Sequence, residues 1–205
     1  MSGLIQEIDK YYTQKLKEFG ATAKGVDWNS DESQHLRFEK LLAVIGPPRE
    51  FFSVLDYGCG FGSLYHEIEN RFPDFQYTGF DISSSMIREA KKTIHSRRAD
   101  WISVLPENKK FDYVLASGIF NVRLDNTNET WLDYIHDVLH NINASSLKGF
   151  SFNSLSIYSD SEKRKDHLYY ADPAFWFNYC KKNISDKVAL LHNYPLYEFT
   201  ILVNK

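Results

Sequence analysis

Hydrophobic positions along this chain follow two periods in turn. Over residues 4–19, Leu4, Ile5, Ile8, Tyr11, Tyr12, Leu16 and Phe19 recur at the three-and-four spacing of a helix with one apolar face, and Gly20 supplies a stop. Residues 25–30 break the pattern with a polar loop carrying one large aromatic, Trp28. A second helix is predicted over 33–45, with Leu36, Leu41, Leu42 and Ile45 inward and Gly46-Pro47-Pro48 ending it.

From residue 52 the pattern becomes short apolar runs separated by amphipathic stretches. Strands are predicted at 52–56, 76–82, 111–116 and 147–153, with a weaker one near Trp101-Ile102. Helices are predicted at 63–72, 84–94, 131–142 and 173–182, with Ser83 or Ser84 capping the second of these. Two last strands, 188–192 and 197–203, flank Asn193-Tyr194-Pro195 and should pair antiparallel. Alternation of this kind specifies an α/β protein with a mostly parallel sheet, helices on both faces and an antiparallel C-terminal hairpin. One domain is expected over 1–205, with 1–46 as an N-terminal helical cap and 52–205 as the core. Ligands in such folds bind at the carboxyl ends of the strands.

The first core strand runs into Asp56-Tyr57-Gly58-Cys59-Gly60-Phe61-Gly62. Glycines at alternate positions allow a tight turn and a close ligand approach. The spacing is Gly-x-Gly-x-Gly, whereas a dinucleotide turn has Gly-x-Gly-x-x-Gly and seats a pyrophosphate. Asp56 beside the turn would repel pyrophosphate and suits an ammonium group. Asp81 follows the second strand, where a carboxylate can accept both hydroxyls of a ribose.

Composition narrows the partners. The net charge of -3 and the absence of a basic stripe argue against nucleic acid. No apolar run is long enough for a membrane helix, and the first residues do not read as a signal peptide. Two cysteines, Cys59 and Cys180, make no disulfide framework, so a cytoplasmic protein is expected, as monomer or homodimer. The seven histidines show no metal-ligand spacing, so no metal is expected. Aromatic residues reach 16%, enough to fill a core and also line a pocket.

From about residue 52 to the C-terminus the chain resembles the class I S-adenosylmethionine-dependent methyltransferases, which are Rossmann-like. The resemblance implies that Asp56, Gly58, Gly60 and Gly62 hold the methionine and ribose parts of S-adenosylmethionine, with Cys59 near the methyl donor, and Asp81 the ribose. Ile82 would pack on the adenine, Asp100 and Trp101 fall at its contacting segment, the inward-facing Met86 is a further cofactor-binding candidate, and S-adenosylhomocysteine would be the product. Residues 111–120 match the fourth-strand motif, which places Ser117 and Gly118 beside the reactive methyl. The Asn/Asp-Pro-Pro-Tyr/Phe sequence of enzymes acting on base amines is missing. Asp125 has no acidic partner, against the magnesium site of catechol-type enzymes.

The segment Gly-Val-Asp-Trp-Asn-Ser at 25–30, with Gln34 and Arg37 after it, is similar to small bacterial methyltransferases of undefined substrate. It implies Trp28, Gln34 and Arg37 at the cofactor, Arg37 pairing with its carboxylate. Trp28 as a core anchor and Arg37 as a surface residue is the competing reading. Candidate catalytic groups are Asn121, Arg123, His35 and Tyr170. The expected reaction is O-methylation of a small molecule: a sugar, nucleotide-linked, phosphate or phosphoramidate precursor of a surface glycan or secondary metabolite. The alternatives are transfer to a small amine, by an N-methyltransferase or aminopropyltransferase-like enzyme, and cofactor binding without catalysis.

Overall fold

A computed structural model describes residues 2–47 and 50–205, so Pro48, part of the predicted helix stop, lies outside the described residues. The chain folds as α1 (Ser2–Phe19), a 3-10 turn (Ala23–Val26), α2 (Asp31–Leu42), β1 (Phe52–Tyr57), α3 (Ser63–Arg71), β2 (Phe75–Phe80), α4 (Ser84–Thr93) and β3 (Ala99–Ile102). It continues as β4 (Phe111–Ala116), α5 (Asn128–Ser145), β5 (Ser146–Leu155), α6 (Pro173–Asn183), β6 (Lys187–Leu191) and β7 (Glu198–Asn204).

The seven strands lie in the order β3-β2-β1-β4-β5-β7-β6. All pairs are parallel except those made by β7, which runs antiparallel to β5 and β6. The terminal pair therefore forms as expected, but β7 slots inside the sheet and β6 takes the edge. Burial explains that choice: β7 is buried along most of its length, whereas β6 alternates between exposed and half-buried. Strand order reverses between β1 and β4, which opens a crevice at their carboxyl ends. Register puts Asp56 level with Gly79 of β2 and Leu115 of β4, so the residues just after these strands crowd one rim.

Two apolar layers cover the sheet. One gathers α1, α5 and α6 around Trp131, Phe150, Phe152 and Trp176; the other gathers α2, α3 and α4 around Leu41, Leu64, Ile68 and Tyr77. Helix α5 starts three residues earlier than the apolar spacing indicates, because the Thr127 side chain accepts from Thr130 N–H as a cap. Ser83 holds the N-cap position of α4 without capping through its side chain; its hydroxyl bonds Thr13 of α1 instead. Among the described residues no helix is long and apolar enough to cross a membrane.

Candidate active site

The turn after β1 is built by its glycines. Gly58, Gly60 and Gly62 have φ of 81°, 56° and 91°, the left-handed region that side chains disfavour. Gly58 and Cys59 donate their N–H groups to Phe80 O at the end of β2, at 2.7 and 2.9 Å, and Gly60 N–H donates to Asp81 at 2.8 Å. A Cβ on Gly58 would sit 2.3 Å from the Ile119 side chain. The turn is thus a cradle whose glycine positions disfavour a side chain, with Asp56 leading into it and the Asp81 carboxylate against its backbone.

Both carboxylates are buried. Asp56 accepts a 2.6 Å hydrogen bond from the Tyr77 hydroxyl, and burial pushes its carboxyl up to about 7 despite that bond. Asp81 accepts from the Ser83 and Gly60 N–H groups, and burial still raises it to about 6. Each holds a proton more readily than an ordinary carboxyl, and each gains by meeting a cation or hydroxyl donors. Burial also pushes the Cys59 thiol well up, so it is no nucleophile; its sulfur packs where a Cβ on Gly79 would lie.

A cavity runs along this rim. Its walls bring together Trp28, Gln34, Asp56, Gly58, Cys59, Gly60, Asp81, Ile82, Met86, Ser117 and Gly118. Val26 comes with the 25–30 segment already expected at the cofactor, whereas the pattern of the chain gave no sign that Ile8, Tyr12, Phe38 and Tyr134 complete the cavity. These come from the N-terminal cap and α5, and helical spacing marks them only as apolar. The Ser117 hydroxyl is buried without a hydrogen-bond partner, a donor group waiting for a ligand atom.

Asp100 and Trp101 are not in this cavity. The Trp101 ring fills the gap beneath Gly62 and Gly79 and packs on Tyr77, with ring centroids 5.2 Å apart. Asp100 is exposed and accepts from Gln76. The wall beyond Asp81 is formed instead by Ile82 and Met86.

Arg37 departs from both readings of it, being neither a cofactor-cavity residue nor a surface one. It is 5% exposed, and its Nε and Nη2 donate to the Glu198 carboxylate at 2.6–2.8 Å. Asn153 Nδ2 donates to the same carboxylate at 3.1 Å, and Asn153 Oδ1 accepts the Gly118 N–H at 2.7 Å. The guanidinium stacks 4.0 Å over the Trp28 ring, which fills the space a Gly118 Cβ would need. This chain of contacts ties α2 and the cap loop to the ends of β4, β5 and β7.

A second cavity of about 350 Å³ adjoins the first and shares Tyr12, Val26, Trp28 and Gly118 with it. Arg37, Asn121, Tyr170, Tyr197, Glu198, Lys163 and Lys165 line it further out. Asn121 is fixed there by the Leu155 N–H, which donates to its Oδ1. Arg123 lies instead in a neighbouring cleft, where its guanidinium donates to the main-chain carbonyls of Asn126 and Asp166. His35 is not at either cavity: it is 55% exposed on the far face of α2 and pairs with Glu67 at 2.7 Å. The loop 156–172 folds back to put Lys163 and Lys165, both exposed, at the cavity wall.

A family profile described as a methyltransferase domain matches residues 55–143. The Mycobacterium tuberculosis protein named as methyltransferase Rv1506c is 48% identical over 155 residues, covering 75% of this chain and 93% of that protein. Malonyl-[acyl-carrier protein] O-methyltransferase 2 of Ilyobacter polytropus is 29% identical over 109 residues, and the chain spans only 42% of its length. Among solved structures, DhpI in its SAM-HEP complex superposes with a TM-score of 0.66 at 14% identity, over 100% of this chain and 99% of that one. The plantazolicin methyltransferase BpumL gives 0.60 at 15% identity over the whole of both chains. The two structures speak for the fold alone. Together with the mycobacterial relative and the glycine cradle between two buried carboxylates, they make this chain a class I S-adenosylmethionine-dependent methyltransferase.

Proposed function

We propose that the chain transfers the methyl group of S-adenosylmethionine to an oxygen of a small molecule seated in the second cavity. The observation that carries this reading is the shared wall. Tyr12, Val26, Trp28 and Gly118 belong to both cavities, so a group in the outer one meets a ligand in the inner one. A volume of about 350 Å³ suits a small acceptor.

In the inner cavity, Asp56 meets the cofactor's ammonium and Asp81 its ribose hydroxyls, while Ile82 and Met86 pack on the adenine. The Ser117 hydroxyl and Gly118 stand at the reacting end. When bound, S-adenosylmethionine supplies a methyl on a sulfonium, so a C–O bond forms as the C–S bond breaks and its electron pair returns to sulfur. The protein's share is to align the acceptor and exclude water. Asn121 and Tyr170 do the aligning.

Oxygen is favoured over an amine by the charges in the outer cavity. Its carboxylates are Asp27, committed to Lys15 and Tyr11, and Glu198, committed to Arg37 and Asn153. An ammonium acceptor would find lysines there and no free carboxylate. No histidine lines that cavity, which favours an acceptor oxygen that needs no base.

The test is a methyl-transfer screen with labelled cofactor over small alcohols, carboxylates, phosphorylated metabolites and amines. Label should pass to an oxygen in at least one acid or alcohol class. Transfer to amines alone would sink the proposal.

A further inference from the structure

We propose that the second cavity is an oxyanion site: the methyl acceptor carries a carboxylate or phosphate-type group that Arg37, Lys163 and Lys165 hold. The inference rests on the reading of that cavity as the acceptor chamber and names what the acceptor must carry.

Arg37 is the strongest sign. Its Nε and Nη2 are spent on Glu198, but Nη1 is buried with no hydrogen-bond partner. A buried guanidinium nitrogen with both hydrogens unused is costly unless a ligand meets it. The group is also held rigid, clamped between the Glu198 carboxylate and the Trp28 ring at 4.0 Å. A donor fixed in this way is ready for an oxygen acceptor and loses little freedom on binding.

The lysines extend the same chemistry. Lys163 Nζ donates to the Tyr197 hydroxyl at 3.0 Å and pairs with Asp160 at 3.4 Å, an exposed pair at the rim whose remaining ammonium hydrogen can meet an anion. Lys165 lines the same wall and, among the described residues, has no carboxylate within ion-pair distance. The outer cleft continues from this cavity through Lys165, Leu168 and Tyr170 and adds Arg123 and Arg164. Both guanidinium groups donate only to main-chain carbonyls, of Asn126 and Asp166 for Arg123 and of Ile157 and Ser159 for Arg164. One carboxylate, Asp166, lines the cleft against those cations. The approach to the chamber is therefore positive although the chain as a whole carries -3, and an anion is drawn inward.

The test follows the Arg37 Nε–H and Trp28 indole N–H resonances in proton–nitrogen spectra of labelled protein saturated with S-adenosylhomocysteine. Inorganic phosphate and acetate are titrated separately, with chloride holding ionic strength constant. Saturable shifts of both resonances are expected for at least one of the two anions. Phosphate binding the tighter assigns a phosphate-type acceptor, and acetate a carboxylate. The K163A/K165A double variant, altered only in an exposed loop, should bind the preferred anion about tenfold more weakly. No saturable shift with either anion, or an unchanged affinity in the double variant, overturns the proposal. If S-adenosylhomocysteine itself fails to bind, the functional reading fails, and the same titration on cofactor-free protein still decides the anion site.

Discussion

Asp56 and Asp81 are the pair on which the proposed cofactor binding turns, and both were legible from the chain. Each sits at the end of a predicted strand, and the glycine spacing between them is local. Their environment was not legible, because the burial that raises them is made by the packed fold and outweighs the Tyr77 and main-chain hydrogen bonds that lower them. It gives a definite pH dependence. The fold favours the neutral carboxyls, so their contribution to stability falls as pH rises from the unfolded value near 3.8 through about 6 and 7. A bound ammonium favours the ionised forms and reverses that preference. Cofactor affinity should therefore rise from pH 5.5 and level off above about 7, with protons released on binding below that point. Calorimetry in buffers of different ionisation heat measures both; affinity flat or falling over this range would count against Asp56 as the ammonium partner. Asp81→Ala should weaken S-adenosylmethionine binding about tenfold or more, since it strands two hydroxyl donors; equilibrium dialysis would show it. Arg37 shows the limit of residue-scale reading: its partner Glu198 lies 161 positions away, and nothing local announces it.

At the scale of elements, the N-terminal cap is where structure adds most. The helical periods of α1 and α2 were visible, but not the surface they cover. Gln34 and Arg37 occupy the buried face of α2 beside Phe38, Leu41 and Leu42, so a rule that sends polar residues outward misplaces them. The buried Arg37–Glu198 pair locks that face to β7. Glu198→Ala should lower unfolding free energy by about 3–5 kcal/mol, because it leaves a buried guanidinium uncompensated. Denaturant titration measures this, and a loss below 1 kcal/mol would mean water reaches the site. Ile8, Tyr12, Val26 and Trp28 reach into the cofactor cavity from α1 and the loop after it. Amide hydrogen exchange over residues 4–28 should accordingly slow when S-adenosylhomocysteine binds. Exchange in this segment that ignores the ligand would show that the cap is no wall of the site.

Across the whole molecule, the architecture follows from the alternation of strand and helix signals, and the switch point between β1 and β4 puts the site where that topology requires it. What alternation could not say is that β7 would lie between β5 and β6, since that order depends on which of two apolar strands is buried on both faces. Nor could it place the loop 156–172, whose exposed lysines reach the cavity rim through tertiary contacts alone. The fold thus joins a cavity written in local motifs, the proposed nucleoside site, to one assembled from distant segments, the proposed acceptor site.

The most direct measurement is calorimetric titration of the intact chain with S-adenosylhomocysteine, run beside Asp81→Ala. One saturable site is expected, weakened about tenfold or more in the variant. Absence of binding, or equal affinity in both proteins, would contradict the placing of the cofactor between Asp56 and Asp81.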